Sequence, residues 1–375
     1  MRPKIIIDDK VPFIRGAFEK VADVEYITGA KISAEDLKDA DALITRTRTK
    51  CNEKILKGSK VKFIASATIG FDHIDREFCR ENGIEWTNAP GCNSGSVLQY
   101  VLSTLFAWEK KYNFSIKGKT IGIVGVGNVG SKIASACEFL GMKVLKNDPP
   151  RVDTEGLTDF CELDQIIEEA DIITFHTPLN RDGKYKTVHL ADNDFFAKLS
   201  ESDKDHFIIN TSRGPVIDNS ALREALKADK KLHACMDVWE NEPNIDLELL
   251  KLCDFASSHI AGYSADGKAN GTRKAVQSVS KFLNLGLDDW EPTKPEHDSP
   301  LSIDSEKNIE EIIRELQLSC YDIAFDTKLI KEQPEEFESH RGNYRIRREL
   351  FTFPLKCTDD VFLYKVREIL SNISF

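Results

Sequence analysis

Residues 119–130 read KTIGIVGVGNVG, and this stretch decides the fold of the chain around it. The apolar run at 119–124 predicts a β-strand, and the glycines after it predict a tight turn. Beyond the turn, apolar residues recur at helical spacing as far as Leu140, and Gly141 can end that helix. A second apolar run then leads to Asp148. This order of elements is typical of a dinucleotide-binding unit: strand, glycine turn, helix, strand and acidic residue.

The three glycines have different physical tasks in such a unit. The first permits the tight turn, the second lets a pyrophosphate approach the backbone, and the third lets the helix pack against the strand. N–H groups at the helix start would bind the phosphates. A carboxylate at Asp148 would bind the ribose hydroxyls and repel the 2′-phosphate of NADP. The sequence therefore predicts NAD; the alternative is an ordinary glycine turn without a ligand. The contacts predicted from the turn are Gly125, Gly127, Asn128, Val129 and Gly130.

The composition sets the broad class of protein. A chain of 375 residues predicts two or three domains. The net charge of −11 argues against nucleic acid as a partner, because phosphate backbones need a basic face. The nine cysteines contain no C-x-x-C pair, which favours reduced thiols in the cytoplasm over a disulfide framework or a metal site. The charged N-terminus does not resemble a signal peptide, and no apolar run is long enough to span a membrane.

Short apolar runs and helical patterns alternate through residues 4–89, which predicts a parallel α/β sheet. The candidate strands are 4–8, 24–28, 42–45, 63–67 and 84–88, with helical patterns at 33–39 and 74–81. Polar loops follow two strands, at 46–50 and 68–70. Because ligands of open α/β sheets bind beyond the carboxyl ends of the strands, these loops are candidates for substrate contact. The alternative for the charges at 46–50 is a solvated surface.

The remaining chain predicts a second α/β domain and a small third one. A long helix at 94–112 would cross to the second domain, where the alternation of strands and helices resumes as far as residue 254. A helix at 264–285 would return the chain to the first domain. A proline-containing linker at 290–302 precedes a small α/β segment with helices at 308–319 and 360–371. The predicted domains are therefore 1–93 with 256–286, 94–255, and 287–375.

Three loops at strand ends carry the groups that oxidation of a hydroxy acid requires. Removal of a hydride from a carbon that bears a hydroxyl needs a base for the hydroxyl proton, and histidine is suited to this near neutral pH. His259 would be that base, with Glu242 holding its ring, and Arg213 would bind a substrate carboxylate. Taken singly, each has an ordinary alternative: a structural histidine, a loop charge and a paired arginine. Together, beside a dinucleotide fold, they favour catalysis.

These motifs resemble the D-isomer-specific 2-hydroxyacid dehydrogenase family over about residues 1–286. The resemblance rests on GVGNVG, Thr177-Pro178-Leu179, NTSRGPVID, DVWENEP and SHIAGY. It implies an α/β fold with a Rossmann NAD-binding domain and a flavodoxin-like substrate domain. It also implies catalytic roles for Arg213, Glu242 and His259, the histidine being the proton donor in the reductive direction. The other implied contacts are Asp148, Thr177, Thr211, Ser212, Arg213, Asp237 and Gly262 for NAD, and Thr47, Thr68 and Tyr263 for substrate.

Further motifs are similar to a subgroup of the family that acts on a phosphorylated hydroxy acid. They include RTRTK at 46–50 and HRGNYRIRRE at 340–349. This narrower resemblance implies a small C-terminal α/β dimerisation domain at 287–375, hence a homodimer. We hypothesise that Arg46 or Arg48, together with an arginine from 341–348 of the same or a partner subunit, binds the phosphate. The candidates in that segment are Arg341, Arg345, Arg347 and Arg348. The alternatives are a family member for 3-phosphoglycerate and a non-catalytic NAD-sensing scaffold.

Overall fold

The chain forms two compact units. A computed structural model describes residues 2–295 and 299–374. The first unit comprises Met1–Asn93 with Ser264–Glu296, and the second comprises Ser94–Tyr263 with His297–Phe375. Among the described residues, no helix combines the length and the hydropathy that a bilayer span requires.

The first unit is built on a parallel sheet of five strands in the order β2-β1-β3-β4-β5. This is the order of flavodoxin-like folds, as predicted. The central strands are buried on both faces, which explains why they read as continuous apolar runs. The strands are β1 Lys4–Asp8, β2 Asp23–Ile27, β3 Ala42–Thr45, β4 Phe63–Ser66 and β5 Glu85–Thr87, and the helices between them are α1 Ala34–Leu37, α2 Glu53–Leu56 and α3 Arg76–Glu81.

The second unit contains a parallel sheet of six strands in the order β11-β10-β9-β8-β6-β7. The strand order reverses at β6, which lies between β7 and β8, so the glycine turn that follows β6 is at the switch point of the sheet. The strands are β6 Thr120–Val124, β7 Lys143–Asn147, β8 Ile172–Phe175, β9 His206–Asn210, β10 Leu232–Met236 and β11 Phe255–Ala256. The helices are α4 Ser94–Tyr112, α5 Gly130–Phe139, α6 Pro149–Glu155, α7 Leu163–Glu169, α8 Asn193–Ser200, α9 Asn219–Ala228 and α10 Leu247–Leu252.

Helix α11, Ala265–Leu283, belongs to the first unit. Its apolar side, including Ala275 and Val279, shares a core with Ile5 of β1. The ring of Phe282 is stacked on that of Phe63, with 4.6 Å between the centroids. Burial of this apolar stripe holds the helix against the sheet, as the helical pattern in the sequence predicts.

The C-terminal segment packs into the core of the second unit. Its elements are β12 Leu301–Ser302, α12 Ile309–Cys320, α13 Ile323–Glu332, α14 Phe337–Gly342, β13 Leu355–Lys356 and α15 Asp360–Ser374. Ile312 and Val366 share one core with Leu98 of α4 and Ile133 of α5. Helix α4 is consequently buried on nearly all sides over its first four turns. We predicted that this helix crosses from the first domain to the second, but all of its residues belong to the second unit.

The boundaries of the units differ from the predicted ones. Residues 256–263 lie in the second unit, and residues 287–295 lie in the first. The described part of the C-terminal segment shares its buried apolar residues with the cores of the second unit. The reason is that apolar side chains of the segment bury against α4 and α5, and an apolar stripe in a sequence does not identify its partner. The predicted linker at 290–302 includes residues 296–298, which lie outside the described residues.

All nine cysteines are free thiols. Six are buried, three in each unit: Cys51, Cys79 and Cys92 in the first, and Cys137, Cys235 and Cys253 in the second. Burial raises the pKa of Cys51 and of Cys235 to about 12, so these thiols stay protonated at neutral pH.

Candidate active site

The glycine turn between β6 and α5 leaves one open face over the backbone. Gly125 has φ +90°, and a Cβ there would lie 2.8 Å from the carbonyl carbon of His176. A Cβ on Gly130 would lie 2.1 Å from the carbonyl oxygen of Gly125, so α5 approaches the turn only because this residue is glycine. Next to Gly127, by contrast, no atom of the described residues lies within 4 Å of an added Cβ. Val129 caps α5 without a side-chain hydrogen bond; the N–H of Ser131 donates to the Gly127 carbonyl at 3.0 Å, and the positive end of the helix dipole favours an anion here.

Asp148 supports the glycine turn from the end of β7. One carboxylate oxygen accepts the N–H of Val126 at 2.8 Å, and the other caps α6 by accepting the N–H of Arg151. The Arg151 guanidinium in turn donates to the Val126 carbonyl at 2.7 Å. The predicted ribose ligand therefore also fixes the conformation of the predicted phosphate loop.

The loops after β8 and β9 contribute Thr177 and Thr211. The Thr177 hydroxyl is buried and has no hydrogen-bond partner within the described parts of the chain. The His176 ring lies between two hydroxyls, with Nε2 2.8 Å from Thr174 and Nδ1 3.1 Å from Thr211. Burial lowers the pKa of His176 to about 3, so it is a neutral ring that holds Thr211 in place.

These features fit a bound dinucleotide. The open face at Gly127 suits a pyrophosphate, and the orphaned Thr177 hydroxyl suits a polar group of a ligand. Beside Thr211, Ser212 donates its hydroxyl to the Asn210 side chain at 2.8 Å, which orders the loop that ends β9. The residues that would hold NAD are Gly125, Gly127, Asn128, Val129, Gly130, Asp148, Thr177, Thr211 and Ser212.

Glu242 and His259 form a hydrogen-bonded pair. The distance from His259 Nδ1 to Glu242 Oε2 is 2.8 Å. Burial by itself raises the pKa of Glu242, but the hydrogen bond and charge of His259, the N–H of Trp239 and the charge of Arg341 outweigh it, and the pKa lies below its ordinary value. Glu242 is therefore an ionised carboxylate that fixes the imidazole ring through Nδ1 and leaves Nε2 for proton transfer.

The loop that carries His259 is held by Asp237. Its buried carboxylate accepts the Ser257 hydroxyl at 2.6 Å and the N–H groups of Ile260 and Ala261 at 2.7 and 3.0 Å. Burial raises the pKa of Asp237, and these three bonds work against the rise. We predicted Asp237 as a cofactor contact; in the structure its carboxylate is engaged in ordering the loop.

The C-terminal segment also holds this loop. The buried guanidinium of Arg347 donates to the carbonyl of Ala261 at 2.5 Å and lies 3.4 Å from that of Ile260. On the other side of the loop, the Tyr100 hydroxyl lies 2.7 Å from that of Ser257. Sequence reasoning assigned no positioning role to Tyr100, Ser257 or Arg347, because none belongs to a motif with a mechanism of its own.

Arg213 and Tyr263 lie on loops of the same unit. Nη1 of Arg213 donates to the carbonyl of Ser212 at 2.8 Å. A Cβ on the next residue, Gly214, would lie 1.9 Å from the carbonyl oxygen of Trp239, so the loops after β9 and β10 are in backbone contact. Gly262 and Tyr263 follow the His259 loop. The structure thus brings Arg213, Glu242, His259 and Tyr263 to the carboxyl edge of one sheet.

Two predicted substrate contacts belong to the first unit. Thr47 lies in the turn after β3, and Thr68 follows β4. The Thr68 hydroxyl lies 2.9 Å from that of Ser66 and donates to the carbonyl of Gly70 at 3.2 Å. Arg46 donates to the Lys10 carbonyl at 2.7 Å. Both loops lie at the carboxyl ends of their strands, where substrates of open α/β sheets bind.

One group of possible metal ligands lies within the described residues: His189, Asp218 and Glu240. The two ring nitrogens face different carboxylates, with Nε2 2.8 Å from Glu240 and Nδ1 3.6 Å from Asp218. Because one ion cannot bind both nitrogens of a ring, we interpret the group as a network of polar contacts around the imidazole.

Comparison with known proteins agrees with this geometry. Residues 100–261 match the family model described as D-isomer specific 2-hydroxyacid dehydrogenase, NAD binding domain. A relative from Bacteroides thetaiotaomicron named erythronate-4-phosphate dehydrogenase is 52% identical over 347 residues, which are 92% of this chain and 97% of that protein. A relative of the same name from Escherichia coli is 40% identical, over 95% and 94% of the two chains. An NAD⁺-bound 3-phosphoglycerate dehydrogenase structure from Entamoeba histolytica, 27% identical, covers 78% of this chain and 99% of its own with a TM-score of 0.64.

The second unit combines a Rossmann sheet with an open glycine turn and a histidine–carboxylate pair at the carboxyl edge of that sheet. This combination defines an NAD-dependent dehydrogenase. The chain belongs to the D-isomer specific 2-hydroxyacid dehydrogenase family. The predicted class of enzyme, its cofactor and its parallel α/β fold are thereby confirmed. The individual contacts of the site residues stay predictions.

Proposed function

We propose that this enzyme oxidises 4-phospho-D-erythronate to 2-oxo-3-hydroxy-4-phosphobutanoate, a step of pyridoxal 5′-phosphate (vitamin B6) biosynthesis. The observation that carries the proposal is the 52% identity, over nearly the whole of both chains, to a relative named for this substrate. The matched length extends into the C-terminal segment, which lies beyond the 100–261 range of the family model.

The site geometry supports a separate role for each of three side chains. Arg213 binds the substrate carboxylate through its planar fork. The imidazole of His259, held through Nδ1 by Glu242, accepts the hydroxyl proton of the substrate at Nε2 as the hydride leaves the same carbon. NAD, when bound, supplies the acceptor for that hydride. In the reductive direction His259 returns the proton.

The test is NADH formation by the purified protein with 4-phospho-D-erythronate and, separately, with 3-phosphoglycerate. We expect a much larger kcat/KM for the first acid. A preference for 3-phosphoglycerate would support the second candidate, which the likeness to the Entamoeba histolytica enzyme favours. Binding of NADH without turnover of either acid would support the non-catalytic scaffold.

We further propose that the protein is a cytoplasmic homodimer assembled through the C-terminal segment. Of the seven large apolar side chains that are exposed among the described residues, four lie in this segment: Phe325, Ile346, Val361 and Tyr364. Val361 and Tyr364 lie three residues apart on α15, at a spacing that places them on one face of the helix, and an exposed apolar helix face is typical of interfaces. Nine free thiols suit a reducing compartment. The unit Met1–Asn93 with Ser264–Glu296 is the proposed substrate domain, through Thr47 and Thr68.

A further inference from the structure

Three of the four arginines between residues 341 and 348 can be distinguished by what their side chains contact. Arg347 is only 3% exposed: Nη2 contacts two carbonyls of the His259 loop, the guanidinium lies over the ring of Tyr321, and Nε and Nη1 have no hydrogen-bond partner within the described residues. Arg345 is 39% exposed, forms an ion pair with Asp326 at 3.6 Å and lies over the ring of Phe325. Arg347 is therefore closed to a ligand, and Arg345 is exposed to solvent as well as to Asp326 and an aromatic ring. Arg341, at the end of α14, is different.

Arg341 is a largely buried cation with weak partners. Its side chain is 19% exposed. Nη1 lies 3.4 Å from Glu338, Nη2 lies 3.5 Å from the Tyr263 hydroxyl, and Nε is buried with no hydrogen-bond partner within the described residues. Charge-assisted bonds of arginine to an anion are ordinarily about 2.7–2.9 Å long. Arg341 therefore retains most of its capacity to bind an anion.

The position of Arg341 places that capacity at the reaction site. Its partner Tyr263 ends the loop that carries His259, and its charge acts on Glu242, which holds His259. In a phosphorylated short-chain hydroxy acid, the phosphate is only a few bonds from the carbon that is oxidised. A substrate with its hydroxyl at His259 would bring its phosphate to the neighbourhood of Arg341.

We propose that Arg341, together with the Tyr263 hydroxyl, binds the phosphate of the substrate and determines the preference for phosphorylated acids. This proposal rests on the proposed function. The planar guanidinium offers two parallel donors to a phosphate, and the fixed position of Tyr263 adds a third. The phosphate then adds to the charge balance that the Glu338 carboxylate provides at 3.4 Å.

The first test compares Arg341→Ala with the control Arg345→Ala, which removes an exposed arginine of the same segment. The measured quantity is the ratio of kcat/KM for 4-phospho-D-erythronate to that for unphosphorylated D-erythronate. We expect Arg341→Ala to lower this ratio about 10- to 100-fold, as loss of charged hydrogen bonds predicts, and Arg345→Ala to leave it unchanged. An equal loss for both acids, or the same ratio as in the wild type, would overturn the proposal.

The second test does not depend on turnover, so it separates this proposal from the proposed function. Binding of inorganic phosphate to the full-length protein loaded with NADH is measured by calorimetry. We expect the affinity of Arg341→Ala to be at least tenfold lower than that of the wild type and of Arg345→Ala. Equal affinity in all three proteins would refute the role of Arg341, even if the wild type oxidised another acid. Arg341→Gln, which keeps the stem and polar head, replaces the alanine variant if thermal unfolding shows that the latter is unstable.

Discussion

At the scale of single residues, the histidine of the site has an unusual backbone conformation. His259 adopts φ +58°, the left-handed region that costs a non-glycine residue about 1 kcal/mol or more. Its N–H is bound to the carbonyl of Asp237 at 2.7 Å, and the flanking loop is bound by the Asp237 carboxylate and by Arg347. The sequence predicted which residue would be the base, but not this conformation, because its supports come from distant parts of the chain.

Replacement of His259 tests its role as the base. We expect His259→Ala to lower kcat by about 10²- to 10⁴-fold, because no group remains to accept the hydroxyl proton. NADH binding, measured by fluorescence titration, is expected to be unchanged. His259→Asn serves as the control for the backbone, since asparagine tolerates the left-handed region. Turnover near the wild-type rate in both variants would contradict the assignment.

At the scale of secondary-structure elements, the strands were predicted better than the short helices. Every predicted strand of the first sheet lies within one residue of an observed one at each end, since buried parallel strands read as apolar runs. The helices α13 and α14, by contrast, were not predicted. Helix α14 has only six residues, and both helices are stabilised mainly by burial of a few side chains, such as Ile323 and Phe337, that contact remote elements. Helix α1 begins with a capping box formed by Ser33 and Asp36.

The packing of α5 against β6 gives a matched pair of glycine variants. We expect Gly130→Ala to lower the melting temperature, because its Cβ would meet the Gly125 carbonyl oxygen and displace the helix. Gly127→Ala is expected to leave the melting temperature within about 2 °C and to weaken NADH binding at least tenfold, because its Cβ would occupy the open face where the pyrophosphate binds. Unchanged NADH affinity in Gly127→Ala would show that the dinucleotide binds elsewhere.

Helix α4 is tied to the second sheet by Asp254. Its carboxylate accepts bonds from Trp108, Lys111 and Tyr112 of the helix and contacts His233. Burial alone would raise the pKa of Asp254, but the bonds from His233, Lys111 and Tyr112 lower it to about 2. A pKa below the unfolded value of 3.8 stabilises the fold above about pH 4, and this stabilisation is lost as the pH falls toward 2.

Asp254→Asn should therefore reduce the free energy of unfolding by about 2 kcal/mol at pH 7. The difference from the wild type should shrink as the pH falls below 4, because the wild-type carboxylate then becomes protonated. Urea unfolding at pH 7, 4 and 3 measures both effects. The same difference at every pH would mean that the carboxylate charge contributes nothing.

At the scale of the whole molecule, the chemistry was easier to predict than the organisation. Local motifs predicted the glycine turn and the pairing of His259 with Glu242, both of which the structure contains, since each motif contains its own chemical reason. The association of the C-terminal segment with α4 depends on contacts such as the bond from Gln317 to the carbonyl of Gln99, which joins positions 218 residues apart. No local pattern predicts such a pairing. Of the four arginines of the segment, only the structure separates Arg341 from Arg347.

The proposed assembly is tested on α15. We expect a double variant, Val361→Ser with Tyr364→Ser, to weaken self-association, because side chains that are 82% and 71% exposed in the single chain would lose their apolar interface. Sedimentation velocity over a concentration series measures the dimer fraction. Leu247→Ser, which removes an exposed apolar side chain outside the segment, is the control. A wild type that is monomeric throughout, or a variant that dimerises equally well, would contradict the proposed interface.

The buried cysteines of each unit can be used to detect transient opening of that unit. Because the thiols are buried and protonated, an alkylating reagent reaches them only when the surrounding structure opens. Peptide mass spectrometry after a short pulse of reagent distinguishes Cys51 and Cys79 from Cys235 and Cys253. The labelling rates then give separate opening free energies for the two units in one unmodified protein, with and without NADH. Ligand-induced protection can thus be assigned to one unit or the other without introducing a single foreign probe.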